Sequence, residues 1–404
     1  MDTQPVTAPR SAVRRLATAR LISITGGAAA YAALNFTIFE KTGSASWVAV
    51  SLLLTFGVLG FIGPPAGILG DRFDRRKVMI ASELAGAFCF GMMALSSEPG
   101  WLLTWAFLSA VAEAPFFSAS EAAIPNVAGP ELTTWANSLV SASRLSGIAV
   151  GPALGGALLA VTNSPDIVFG VNAVSFVVSA LVIWSVRARF SGVRGDDEFS
   201  GLRAGFRFLR QDRVLRTLLF AWVVFISGMG MSMVADAPLA AVFDAGSFGF
   251  GLLITAWGGG SAIGSLIAKR MREGSEGTWL VRAGIVIAAT GIGIGISPWF
   301  GLALGLMFVM GLADGTTIVA ETNLRQRRAP DAVRSRVSAA FMGVMHVMLA
   351  FSYVVAAFVV PWLGPKPTYL IGGTTAGLAV LVLMRMRRYL ELDEAARLEG
   401  SEAP

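Results

Sequence analysis

Three carboxylates stand inside long apolar stretches of this sequence: Glu113 in LSAVAEAPFF, Asp236 in SMVADAPLAA and Asp314 in VMGLADGTTI. A charged group at the centre of a membrane helix costs about 2.5 to 3.5 kcal/mol on insertion scales, so an acid at that depth usually has a task. A carboxyl group in surroundings of low dielectric can take up and release a proton, which is what a proton carrier requires, and the same position suits contact with a substrate. The plainer use of each acid is a hydrogen-bonded packing residue. His346 is the one histidine, a residue type whose unperturbed imidazole changes charge between about pH 5 and 8. It joins the three acids as a candidate for proton coupling or substrate contact, as does Asn35 in the first apolar stretch. Glu121 and Glu321 fall nearer the ends of their stretches, where pairing with Arg144 or with the basic cluster at 325–328 would make them gating contacts. Arg144 can also snorkel to the interface.

Other chemistries lack their residues. No G-x-x-x-x-G-K-S/T loop is present, and the glycine cluster at 258–264 has no lysine. HExxH, GxSxG and CxxC are missing as well. Cys89 and His346, one residue of each kind, cannot build a zinc site. The chain therefore reads as no enzyme, with no metal and no cofactor.

The elements that must position these residues follow from composition. Of 404 residues 54% are hydrophobic and 14% charged, with a mean hydropathy of +0.66. Twelve apolar runs, each of about 20 residues, match a hydrocarbon core of about 30 Å. Spans 1 to 6 are expected at 21–39, 47–69, 78–96, 101–122, 135–160 and 167–186. Spans 7 to 12 are expected at 214–243, 249–269, 279–297, 299–322, 336–360 and 367–387. Nearly all of the 32 Lys and Arg fall in the tails and in alternate connections, leaving Lys41 and Lys366 for the other side. That is the positive-inside pattern of an even number of spans with both termini cytoplasmic, so the net charge of +6 reports topology rather than nucleic acid. Span 1 is read as retained, because removing it as a signal peptide would invert the pattern.

The expected organisation is a cytoplasmic tail at 1–20, a six-helix bundle at 21–186, a linker at 187–213, a second six-helix bundle at 214–389 and a tail at 390–404. In the linker, Leu202, Phe206 and Leu209 have the spacing of a short amphipathic helix lying on the cytoplasmic leaflet. The tail after Arg388 is polar and expected to fray. Shifting the chain by 200 residues sets Glu121 on Glu321 and Pro130 on Pro330, and a one-residue gap sets Glu113 on Asp314. Two duplicated six-span halves are a transporter architecture.

Two motifs carry a resemblance. Between spans 2 and 3, Gly67, Asp71, Arg72, Arg75 and Arg76 in GILGDRFDRRK resemble motif A of the major facilitator superfamily, with Asp74 where that family has glycine. Span 5 holds Gly147, Gly151, Pro152, Gly155 and Gly156, similar to motif C of its antiporters, with Ser138 at the place of the earliest glycine. Small residues let helices approach closely, and the proline frees a backbone carbonyl. Residues 121–156, VNAVSF at 171–176 and QRRAPD at 326–331 extend the resemblance to the enterobactin-exporter and macrolide-efflux branch. Many drug-proton antiporters of the superfamily carry an arginine in span 4, where this chain has Glu113.

The resemblance implies an all-α integral membrane protein with twelve transmembrane helices in two pseudo-symmetric six-helix bundles. It further implies a monomer in the inner (plasma) membrane that exports a small amphipathic or hydrophobic molecule in exchange for protons. Its partners would be that small molecule, protons and the lipid bilayer, without nucleic acid. An importer or uniporter of the same fold is the second reading. A membrane receptor signalling through 187–213 is the third.

Overall fold

Backbone amides have no water to bond to inside a bilayer, so an apolar chain of this kind must satisfy them within helices. A computed structural model of the chain describes residues 9–62, 66, 73–190, 202–330 and 333–401. Among them are twelve helices long and apolar enough to cross a membrane. Spans 1 to 6 are Pro9–Thr42, Ala45–Ile62, Arg75–Ala94, Pro99–Ala128, Trp135–Thr162 and Pro165–Ser185. Spans 7 to 12 are Arg213–Val242, Gly246–Arg270, Glu276–Gly295, Phe300–Arg328, Arg336–Leu363 and Pro365–Leu392. Large apolar side chains such as Phe358, Trp362 and Leu381 are exposed, as a lipid-facing surface requires.

Several helices are longer than their apolar runs. Span 1 begins at Pro9 and carries Arg20 into its buried face. The helix that contains span 12 continues to Ser401, through the tail expected to fray, with Arg387 Nε on Glu391 Oε1 at 2.8 Å one turn apart. Span 3 starts where Asp74 Oδ1 accepts the Lys77 amide at 3.0 Å, so the residue that departs from the family's glycine works as a helix N-cap. Between spans 4 and 5 the chain turns at Gly129, whose φ of 74° suits glycine.

The chain forms two compact units, one of Met1–Gly195 with Ala240–Thr255 and one of Asp196–Leu239 with Ala256–Pro404. In the first unit, spans 1 and 5 meet along a glycine seam. A Cβ on Gly147 would stand 2.9 Å from Ile24 Cγ2, one on Gly151 2.6 Å from the Thr25 carbonyl, and one on Gly155 against the Ala29 carbonyl. The start of span 8 belongs to this unit because it packs on the same proline-broken helix. Pro152 interrupts the backbone ladder, the Ala153 amide donates to Thr255 Oγ1 at 2.9 Å, and Gly251 lies against the Pro152 carbonyl. Span 2 contains one π-turn, Leu53–Gly57.

In the second unit the seam lies between spans 8 and 10, where Gly260 and Gly264 face the backbone at Phe308 and Leu312 while Gly311 and Gly315 face Trp257 and Ser261. Spans 9 and 12 approach through Gly291 and Gly373. The short helix expected in the linker is present at Leu202–Gln211. Leu209 is buried and Gly205 rests on the Arg336 carbonyl, so one apolar side docks on the start of span 11 while Phe206 stays exposed. Asp212, held by Arg328 at 3.0 Å, then accepts the Leu215 amide at 2.8 Å and starts span 7.

Candidate functional site

In the first unit Glu113 is held by hydroxyls. Ser109, one turn earlier on span 4, donates from Oγ to Glu113 Oε1 at 2.9 Å, and Tyr31 of span 1 donates to the same oxygen at 3.3 Å. The Tyr31 and Ser109 hydroxyls are themselves 3.0 Å apart. The Tyr31 ring packs on Phe90 at 5.7 Å and on Phe56, in the π-turn of span 2, at 5.6 Å between centroids. Such local widening of a helix often marks a functional site. Asn35 is drawn into this neighbourhood, because its Nδ2 donates to the Tyr31 carbonyl at 3.0 Å. Its buried Oδ1 has no hydrogen-bond partner among the described residues.

The second unit treats its two acids differently. Asp236 of span 7 accepts a hydrogen bond from the Tyr369 hydroxyl of span 12, and three residues earlier Met233 Sδ receives the Tyr353 hydroxyl of span 11 at 3.5 Å. Asp314 is 6% exposed, and among the described residues no hydrogen bond or ion pair reaches its carboxyl group. It lines a cavity of about 420 Å³, counting the open space at its mouth. Phe225, Met229, Trp257 and Met310 form much of the wall.

Deep acids in a helical bundle fit a transporter, and comparison with known proteins decides the family. The family model described as Major Facilitator Superfamily matches residues 16–270, more than half of the chain. This chain belongs to the Major Facilitator Superfamily. Among curated members, macrolide efflux protein A of Streptococcus pyogenes is 24% identical over 387 residues, covering 92% of this chain and 95% of that one. The enterobactin exporter EntS of Escherichia coli O6:K15:H31 is 25% identical over 412 residues, covering 96% of each. Solved facilitators share the fold. The nucleoside transporter NupG matches with a TM-score of 0.72 at 13% identity, covering 93% of this chain and 98% of that one. A bacterial homologue of the iron transporter ferroportin matches at 0.73 and 17%, covering 94% and 100%. The chain is thus a multi-pass membrane transporter of the expected fold class.

Other expected residues of this facilitator fall elsewhere. Glu121 is 71% exposed at its side chain and stands 3.7 Å from Arg20, not from Arg144. Arg20 reaches there because span 1 is helical well before residue 21, and its Nη1 also donates to Ser120 Oγ at 2.7 Å. Arg144 is exposed and makes no ion pair among the described residues. Glu321 pairs with Arg325 on its own helix, and that guanidinium lies 4.9 Å from the centre of the Phe341 ring. The His346 ring bonds the Met342 carbonyl of its own helix at 2.9 Å, and among the described residues no hydrogen bond or ion pair joins it to the acids.

Of motif A, Gly67, Asp71 and Arg72 lie outside the described residues. Arg75 donates to the Ala122 carbonyl at 2.9 Å and Arg76 to the Trp184 carbonyl. These cations therefore address the ends of spans 4 and 6 rather than lipid headgroups alone. Sequence reasoning missed Glu83. It is 1% exposed in span 3 and takes hydrogen bonds from Ser179 of span 6 at 2.9 Å and Ser23 of span 1 at 3.2 Å. The signal was present as an acid within an apolar run, eight residues after the basic start of span 3.

Proposed function

We infer that this facilitator exports a small amphipathic or hydrophobic molecule of the drug, antibiotic or siderophore-like kind, by alternating access in exchange for protons. The direction and cargo class rest on the efflux relatives, which match over nearly the full chain. Proton exchange rests on one arrangement: Glu113 near the middle of span 4 and Asp236 toward the end of span 7 are each bonded by a tyrosine hydroxyl from another helix. A hydroxyl can donate to a carboxylate or accept from a carboxylic acid, so a tyrosine beside the acid can bond it in either protonation state. Each proton brings about 2.3 kcal/mol per 100 mV of membrane potential, so one or two drive modest concentration ratios.

The gating roles of Arg75, Arg76, the motif C glycines and the Arg20–Glu121 and Arg325–Glu321 pairs belong to the same proposal, as do cytoplasmic termini in an inner (plasma) membrane. In proteoliposomes, movement of a macrolide or a catecholate siderophore should respond to an imposed pH gradient. Glu113→Gln and Asp236→Asn should each remove that response. Transport indifferent to both the gradient and the substitutions would refute the coupling.

A further inference from the structure

We propose that the cavity inside the second unit is a binding site for the ammonium group of a small organic amine, with Asp314 as its counter-ion. Asp314 projects from span 10 into the cavity, nine-tenths buried, and the described residues give its carboxylate no donor. A buried carboxylate without a donor forgoes the charge-assisted hydrogen bond that normally offsets desolvation, and a bound cation supplies it. The walls select the kind of cation. A hard metal ion asks for six or more oxygen ligands, whereas the side-chain oxygens here are the Asp314 carboxylate and the Ser232 hydroxyl. Ser232 donates to the Gly228 carbonyl at 3.3 Å, which leaves its oxygen free to accept from an N–H group. Phe225 and Trp257 supply aromatic surface, and Met229 and Met310 supply polarisable thioethers. This combination suits a weakly hydrated alkyl- or arylammonium.

The site lies wholly within the second unit, on spans 7, 8, 9, 10 and 12, and goes beyond the transport reading without depending on it. Glu113 and Asp236, the proposed proton carriers, are not among its lining residues.

Benzylamine is the probe, with benzyl alcohol as its neutral counterpart, titrated into the purified full chain by calorimetry and intrinsic fluorescence. Nanodiscs of phosphatidylglycerol hold no competing amine, and a parallel series in phosphatidylethanolamine tests whether a lipid headgroup is the natural source. The expected result is saturable benzylamine binding, benzyl alcohol at least about tenfold weaker, and loss of that preference in Asp314→Asn. Trp257→Phe should abolish most of the fluorescence change while calorimetric affinity stays within about threefold. Weaker benzylamine binding in phosphatidylethanolamine assigns the site to the lipid headgroup, and equal binding assigns it to soluble amines. Equal affinity for amine and alcohol overturns the proposal, as does displacement of the amine by sodium chloride at the same concentration. Those two measurements need no substitution, so they decide the question even if Asp314→Asn fails to fold. No gradient is imposed, so absent proton coupling in liposomes leaves this result unaffected.

Discussion

Glu113 and Asp314 occupy corresponding places in the two halves of the repeat, yet the protein surrounds them in opposite ways. Glu113 has two hydroxyls on one oxygen and an aromatic packing that holds one of those hydroxyls in place. Asp314 has no donor among the described residues and faces a cavity. The two positions that the 200-residue offset pairs thus share an acid without sharing its surroundings. The difference arises one turn away: Ser109 precedes Glu113 by four residues on the same helix face, whereas four residues before Asp314 stands Met310, which can donate nothing. One half bonds its acid to hydroxyls, and the other leaves its acid facing a cavity.

The largest effect that separates the two should appear in driven transport. Glu113→Gln keeps the side chain's shape and its contact with Ser109 but cannot exchange a proton, so gradient-driven flux should fall at least about tenfold, equivalent to about 1.4 kcal/mol. Counterflow without a gradient should survive. Equal loss of both activities would show that Glu113 serves the structure rather than the coupling. Stability should sharpen the contrast next. Glu113→Leu strands donors that now meet a carboxylate, at about 1 to 3 kcal/mol, while Asp314→Leu removes a buried acid on which no described donor depends and should be neutral or stabilising. Thermal unfolding of the two variants in one detergent reads the difference, and equal destabilisation would erase the distinction drawn between the halves.

The twelve spans were legible because apolar length and basic connections are properties of the sequence itself. Depth was legible too, which is why Glu113, Asp236 and Asp314 stand out on a first reading. Partners were not. Whether Tyr31 meets Glu113, or Tyr369 meets Asp236, depends on the rotation of one helix against another, and residues 82 and 133 positions apart carry no local sign of it. Ser109 is the exception, since a spacing of four places both residues on one helix face. Arg20 was assigned to the tail because charge near the start of an apolar run looks like an anchor. The helix from Pro9 instead carries it inward to Ser120 and Glu121. Glu83 escaped attention because its run opens with Arg75, Arg76 and Lys77, which made an acid there look like part of a charged margin.

The tyrosines offer a finer break. Tyr31→Phe and Tyr369→Phe each delete one hydroxyl and keep the ring, so each should cost about 0.5 to 1.5 kcal/mol of stability. If the hydroxyls follow the protonation of their acids, both variants should also slow gradient-driven flux severalfold while substrate affinity without a gradient stays close to the parent. Loss of stability alone would reduce the tyrosines to packing residues.

The smallest effect is expected at His346, a residue type that looks like the natural proton carrier from sequence. Its ring is engaged with the Met342 carbonyl one turn back on span 11, and among the described residues no hydrogen bond or ion pair joins it to Asp236, Asp314 or Tyr353. A ring bonded to its own helix is not placed to hand a proton directly to the acids. His346→Gln retains a donor for that carbonyl and should change stability by about 0.5 kcal/mol or less. The pH dependence of flux should overlay that of the parent. A displaced profile in this variant, with Glu113 and Asp236 intact, would move proton handling from the carboxylates to the imidazole and dissolve the contrast between the two halves.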